Sequence, residues 1–282
     1  SSSRCKGEEH YKLGAIIKKR VIKELIDEWN YKAAYSLAKE IDSDISKNAS
    51  ELIKAAFGRS SFDLKRLRDI KIPYKEEIFP VPFDSKEGRV FEYALLIELK
   101  LLRKEYADFM RSITPLIVDL FALIFDKYCG MKLSDLTKEN KGLCWDYEKL
   151  KNNGKEVYEC LEFRSGKEPE LIKDNVYVTS EHLVILLNKM CEDEDVKENV
   201  KKLRKAELDG RNPAAHELNS VDENWIYERT GGLLPDNIFN LIKYLIERVV
   251  PNLKDDDWRS YKKMNEKIKA ALDEPPKERP HK

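Results

Sequence analysis

Apolar residues recur at helical spacing along most of the chain. Leu13, Ile16, Ile17, Val21 and Leu25 share one face and predict an amphipathic helix over 9–28. Ala34, Leu37, Ala38, Ile41, Ile45, Ala49, Leu52, Ile53 and Ala56 continue the pattern over 31–57, and Gly58 is a natural stop. A short helix is expected at 62–70. Pro73, Pro80 and Pro82 then predict an extended connection. A long helix follows from about Gly88 to Arg111, with Phe91, Leu95, Leu99, Leu102 and Tyr106 on one face. Thr114-Pro115 predicts a break or kink, after which 116–128 reads as a buried helix ending at Cys129-Gly130.

The pattern changes over 131–180, where Asn, Gly and Lys are common. Tyr158–Phe163 and Asn175–Thr179 alternate like short strands, which predicts a loop-rich insertion with a small hairpin. Helical periodicity returns at 181–192, 194–210, 235–250 and 257–272. The end of the chain, rich in proline and charge, is expected to be disordered. The fold class expected is mainly α: a helical region over 1–84, a helical bundle over 85–272 carrying the 131–180 insertion, and a tail over 273–282.

Charge narrows the function classes. Lys+Arg and Asp+Glu both number 52, so the chain has no overall cationic field, and any nucleic-acid binding must come from local clustering. Charged residues make up 37% of the chain, which with helical periodicity means heavily solvated faces; the 41% apolar fraction still supports a core. The cysteines at 5, 129, 144, 160 and 191 form no Cys-x2-Cys pair and are not spaced with histidines. A zinc site is therefore not expected, and the scatter suits a reducing cytoplasm. No basic-then-apolar leader and no membrane-length apolar run is seen, so a cytoplasmic chain without membrane contact is expected. No Gly-rich phosphate loop or repeated strand–helix alternation appears, which argues against a nucleotide-triphosphate motor and a Rossmann-like domain.

The candidate chemistry lies in Arg211-Asn212-Pro213-Ala214-Ala215-His216. Asparagine favours the helix cap and proline the first helical position, so Asn212 reads as an N-cap and His216 as an outward-facing residue of the first turn. A helix N-terminus offers unpaired N–H groups and partial positive charge to a phosphate. Histidine transfers protons near neutral pH, and arginine grips two phosphate oxygens at once. These groups suit attack of an RNA 2′-hydroxyl on the adjacent phosphorus, and no metal or other cofactor is needed. On the preceding helix Lys197, Lys201, Arg204, Leu208 and Arg211 form a stripe that could guide a phosphate backbone; a solvated, salt-bridged face is the alternative. Glu207, four residues before Arg211, is placed to orient its guanidinium.

Arg211-x4-His216, with the polar Asn212 directly after the arginine, resembles the signature of HEPN ribonucleases. Trp29-Asn30-Tyr31-Lys32-Ala33-Ala34 and Tyr227-Glu228-Arg229-Thr230-Gly231 resemble one branch, the ancillary ribonucleases of type III CRISPR systems. The resemblance spans roughly residues 8 to 272. It implies a HEPN-type bundle and a homodimer whose two motifs line one cleft. It also implies an effector cutting single-stranded RNA. Cyclic oligoadenylate would act through a sensor domain, of which this chain shows no counterpart. Arg211, His216 and Asn212 are the implied catalytic residues. A stand-alone toxin-type ribonuclease and a catalytically silent helical scaffold stay open as alternatives.

Other constellations read as structural. His182 sits on an apolar helix, and Asp255-Asp256-Asp257 suits a helix cap better than a metal. Trp145, Trp225 and Trp258 read as core or interface residues before base-stacking ones. Thr230-Gly231-Gly232 reads as a loop before a helix.

Overall fold

The computed structural model describes residues 2–162, 176–216 and 220–276. Residues 163–175 of the expected insertion and 277–282 of the expected tail lie outside the described residues. The mainly α expectation holds: the only paired strands among the described residues make one small hairpin. The chain forms two compact units, one from residues 1–85 with 253–282 and one from 86–252. Among the described residues no helix is long and apolar enough to cross a membrane.

The first unit holds α1 (Ser2–Asp27), α2 (Tyr31–Glu40), α3 (Lys47–Ser60), α4 (Leu64–Asp69), α5 (Lys75–Ile78) and the C-terminal helix α14 (Ser260–Leu272). The 31–57 stretch is two helices, with a 3-10 turn at Asp42–Asp44 between them. Ser46 starts the second by accepting from the N–H of Ala49 at 3.0 Å, and its hydroxyl donates to the carbonyl of Ala271 at 2.8 Å. The Trp29–Ala34 word is a turn and a cap. Trp29 takes φ 60 and the Asn30 side chain accepts from the N–H of Ala33. Tyr31, fully buried, donates to Asn265 Oδ1 at 2.7 Å. Arg59 is buried with its guanidinium 4.2 Å from the centre of the Tyr261 ring and 4.7 Å from that of Phe79, and it donates to the Ser260 hydroxyl.

The second unit holds α6 (Lys86–Leu102), α7 (Tyr106–Tyr128), α8 (Tyr147–Asn153), α9 (Lys155–Glu162), α10 (Ser180–Met190), α11 (Glu194–His216), α12 (Glu223–Arg229) and α13 (Pro235–Val249). The break expected at Thr114-Pro115 lies elsewhere. The chain reverses at Arg103–Glu105, with Lys104 at φ 57, and α7 continues through Pro115. Proline removes one helical N–H, but Phe109, Met110, Ile113, Leu116, Ile117 and Leu120 are all buried, and that packing outweighs one lost bond. Leu102 is consequently exposed rather than part of the buried face.

The insertion is also reassigned. The hairpin pairs β1 (Thr137–Glu139) with β2 (Leu143–Trp145), antiparallel, and a bridge joins Cys144 to Tyr177. Tyr158 to Glu162, expected as strand, is the end of α9. Val157, Cys160 and Leu161 lie on its buried side at helical spacing, a pattern that short alternation mimics.

The apolar face of α13 is consumed within this unit. Ile238, Ile242, Leu245 and Ile246 are fully buried, and Phe239 and Val249 nearly so.

Candidate active site

The expected helix start at Asn212-Pro213 is not where the helix begins. α11 begins at Glu194 and runs through His216, so the Arg211–His216 run occupies its C-terminal turns. The N–H groups that a helix start would offer to a phosphate belong to Glu194 and its neighbours instead. Val196, Val200, Leu203 and Ala206 are fully buried along one side of α11, which packs on α7, α10 and α13. That anchoring carries the helix past Pro213, whose missing N–H leaves the Asp209 carbonyl without its usual donor. The side chains of Arg211, Asn212 and His216 lie outside what the structure describes.

The backbone that presents them is held tightly. Gly210, directly before Arg211, lies against α7 so closely that a Cβ there would sit 2.3 Å from Met110 Cε and 3.5 Å from the Thr230 methyl. Met110 is itself fully buried. One turn earlier Glu207, 1% exposed, accepts from the Thr114 hydroxyl at 2.8 Å on one oxygen and from Arg204 on the other. Tyr106, at the start of α7, donates to Glu223 of α12; that bond, first among its causes, pushes the phenol up to about 12. The first half of α7 thus braces the end of α11 and the start of α12.

The turn after α12 touches the same place. Thr230 is buried, and its hydroxyl donates to the carbonyls of Ile226 at 2.7 Å and Leu233 at 3.0 Å. Gly231 at φ +73 and Gly232 at φ +98 close the helix, with the Gly232 N–H donating to the Tyr227 carbonyl at 2.8 Å. Left-handed backbone of this kind favours glycine, which explains the Tyr227–Gly231 word locally.

The expected cationic stripe divides. Lys201 is exposed. Lys197, 15% exposed at the side chain, pairs with Glu194, and Arg204, 17% exposed, pairs with Glu207. Spacing alone gives Glu207 to Arg211; the partners described for it are Arg204 and Thr114. Sequence patterning also missed Gly210, Thr114 and Met110. Gly210 had a signal, since a lone glycine inside a helical run marks a packing reason; Thr114 and Met110, on a different helix, had none.

The remaining candidates are structural. His182 Nδ1 accepts from Trp145 Nε1 at 3.1 Å and helps cap α10. Asp257 accepts from the Lys254 N–H at 2.8 Å, and Asp256 pairs with Lys263 at 2.5 Å, which holds it below the usual carboxylate range. Trp145 and Trp258 are buried, and the guanidinium of Arg229 lies over Trp225 at 5.5 Å. Burial pushes the Cys129 thiol up to about 12. Among the described residues no group of His, Cys, Asp and Glu side chains is gathered to hold a metal.

The model of the Cas_Csm6 HEPN domain matches residues 72–269, and that of the CRISPR-associated protein Csm6 6H domain matches residues 9–60. Over 276 residues the chain is 26% identical to the CRISPR system endoribonuclease Csm6 of Mycobacterium tuberculosis, covering 97% of this chain and 59% of that protein. In fold it is similar to Enterococcus italicus Csm6 bound to cyclic hexa-2'-fluoro-hexa-dAMP, with a TM-score of 0.65, 16% identity, and coverage of 91% of this chain and 57% of that one. At that identity the likeness is one of fold. The chain thus spans less than two thirds of the length of either relative. With the HEPN match extending over residues 72–269 and the Arg211–His216 run inside it, the chain belongs to the Csm6 HEPN-domain family.

Proposed function

We propose that this chain is the catalytic part of a Csm6-type effector: a metal-independent endoribonuclease that cuts single-stranded RNA by attack of the 2′-hydroxyl on the adjacent phosphorus. The observation that carries this is the Arg211-x4-His216 run at the braced end of α11, inside the matched HEPN segment. His216 moves the proton, Arg211 stabilises the charge gathering on the phosphorane, and Asn212 supports them. Imidazole and guanidinium together supply what the reaction needs, so no metal is invoked. In a type III CRISPR response the activator would be cyclic oligoadenylate bound to a separate sensor domain. The named ligand of the Enterococcus italicus relative, a cyclic hexanucleotide, supports that assignment.

The test is cleavage of end-labelled single-stranded RNA in EDTA. The upstream fragment is expected to end in a 2′,3′-cyclic phosphate or its hydrolysed product, and a 2′-deoxy sugar at the cut position is expected to block cutting. Efficient cleavage of the deoxy substrate would overturn the mechanism.

One chain carries one such run, whereas the reaction wants an acid and a base together, so two copies are proposed to pool their motifs in one cleft. Adding His216→Ala chains to the wild-type protein is then expected to lower activity by more than dilution does, because mixed dimers hold half of the composite site. Activity that falls only in proportion to the wild-type fraction would show that each chain works alone.

A further inference from the structure

Beside the Arg211–His216 run lies an exposed surface that the reaction as described leaves unused. Tyr227 is 48% exposed, although it is a large aromatic side chain. Its ring is seated on the Gly231-Gly232 turn, with Cζ 3.7 Å from where a Cβ would stand on Gly232. Lys205 Nζ lies 3.8 Å from the corresponding position on Gly231. The same turn meets α11 at Gly210, where the Thr230 methyl would be 3.5 Å from a Cβ. The Gly231-Gly232 turn thus brings an aromatic ring and an ammonium group to one place, joined to the residue before Arg211.

The phase of α11 extends this surface. Lys201 and Lys205 are both exposed and one turn apart. Positions 208, 212 and 216 follow from Lys201 at i+7, i+11 and i+15, on the same face of the helix. Leu208 is 46% exposed. Lys197 and Arg204, at the edge of that face, are tied to Glu194 and Glu207. The two exposed lysines lead along α11 toward the catalytic turns.

We propose that Tyr227, Lys205 and Lys201 form a nucleotide subsite for the RNA flanking the cut. The Tyr227 ring stacks on one base, and the two ammonium groups hold the neighbouring phosphates. A half-exposed ring beside cations is the recurring platform for single strands, because every base has a face to stack and every nucleotide a phosphate. This inference rests on the ribonuclease reading above and names how that site holds its substrate.

The experiment measures binding of a fluorescein-labelled, mixed-sequence single-stranded oligonucleotide with 2′-fluoro sugars, which cannot undergo 2′-attack, alongside cleavage of the matching RNA. Tyr227→Ala is expected to weaken binding about 5- to 100-fold and to raise KM more than it lowers kcat. Tyr227→Phe, which keeps the ring, is expected to bind within about twofold of wild type. Lys201→Gln with Lys205→Gln is expected to flatten the dependence of log Kd on log salt by about 0.7 for each phosphate no longer held. Tyr177→Ala removes a similarly exposed ring, 51% exposed, and serves as the matched control.

Wild-type binding and an unchanged melting temperature in Tyr227→Ala would overturn the subsite while leaving the ribonuclease reading standing. Dissociation of a dimer by the same substitution, read by light scattering, would overturn it too and give the ring to a subunit contact. A wild-type protein that neither binds nor cuts RNA would defeat the ribonuclease reading itself.

Discussion

His216→Ala is expected to lose RNA cleavage by about 10³-fold or more while keeping the fold. Removing a positioned general acid or base typically costs about 10²–10⁴-fold, and in a paired site the loss falls on both halves of the reaction. Arg211→Ala is expected to cost at least about 10²-fold, the usual effect of deleting one donor to a developing oxyanion. Arg211→Lys is expected to recover part of this, because lysine keeps the charge but not the planar fork that grips two oxygens. Both substitutions leave in place the buried residues described for α11, Val196, Val200, Leu203 and Ala206. Melting temperatures close to wild type are therefore expected, and circular dichroism checks them beside the cleavage rates. A folded His216→Ala protein that cuts at the wild-type rate would sink the catalytic assignment, and full activity in Arg211→Lys would show that charge alone suffices.

Glu207→Ala is expected to produce the largest loss of stability from a single side chain near the site. Its carboxylate has two described partners, the Thr114 hydroxyl at 2.8 Å and the Arg204 guanidinium, whose side chain is only 17% exposed. Deleting the carboxylate strands a mostly buried cation, and breaking a buried pair from one side costs about 3–5 kcal/mol. Because Arg204 keeps some access to water, the expected cost is about 2–4 kcal/mol. Glu207→Gln, whose amide oxygen can still accept from Arg204 while its NH2 group donates to the Thr114 hydroxyl, carries no charge and is expected to cost less. Urea unfolding measures both. Cleavage is expected to fall as well, since Glu207 lies one turn before Arg211 and ties α11 to α7. A Glu207→Ala protein within about 0.5 kcal/mol of wild type would mean that the pair contributes no more than an ordinary surface contact.

The helices themselves were legible because their apolar rows repeat at helical spacing and bury one side. Leu183, Leu186 and Leu187 of α10, and Ile238, Ile242, Leu245 and Ile246 of α13, are buried as that spacing requires. Breaks were legible only where glycine or proline marks them, and those marks misled in both directions. Pro115 and Pro213 suggested helix boundaries and lie inside α7 and α11. The true breaks, at the 3-10 turn Asp42–Asp44 and at Arg103–Glu105, carry neither residue. A proline forfeits one hydrogen bond, a cost that several buried side chains outweigh. A reversal at Lys104, φ 57, strains one residue and leaves little compositional trace.

Sequence by itself determined the family-bearing run, the mainly helical class and the apolar rows, because these depend on residue identity and on periodicity within one segment. It could not show that Glu207, beside Arg204 on its own helix, accepts from the Thr114 hydroxyl of α7, 93 residues away in the chain. Nor could it show that Gly210 rests on Met110, or that the α13 face is spent on this unit's own core. Each of these is a meeting of segments far apart in the chain. Such meetings are settled by how buried surfaces fit against one another, and no local propensity carries that information.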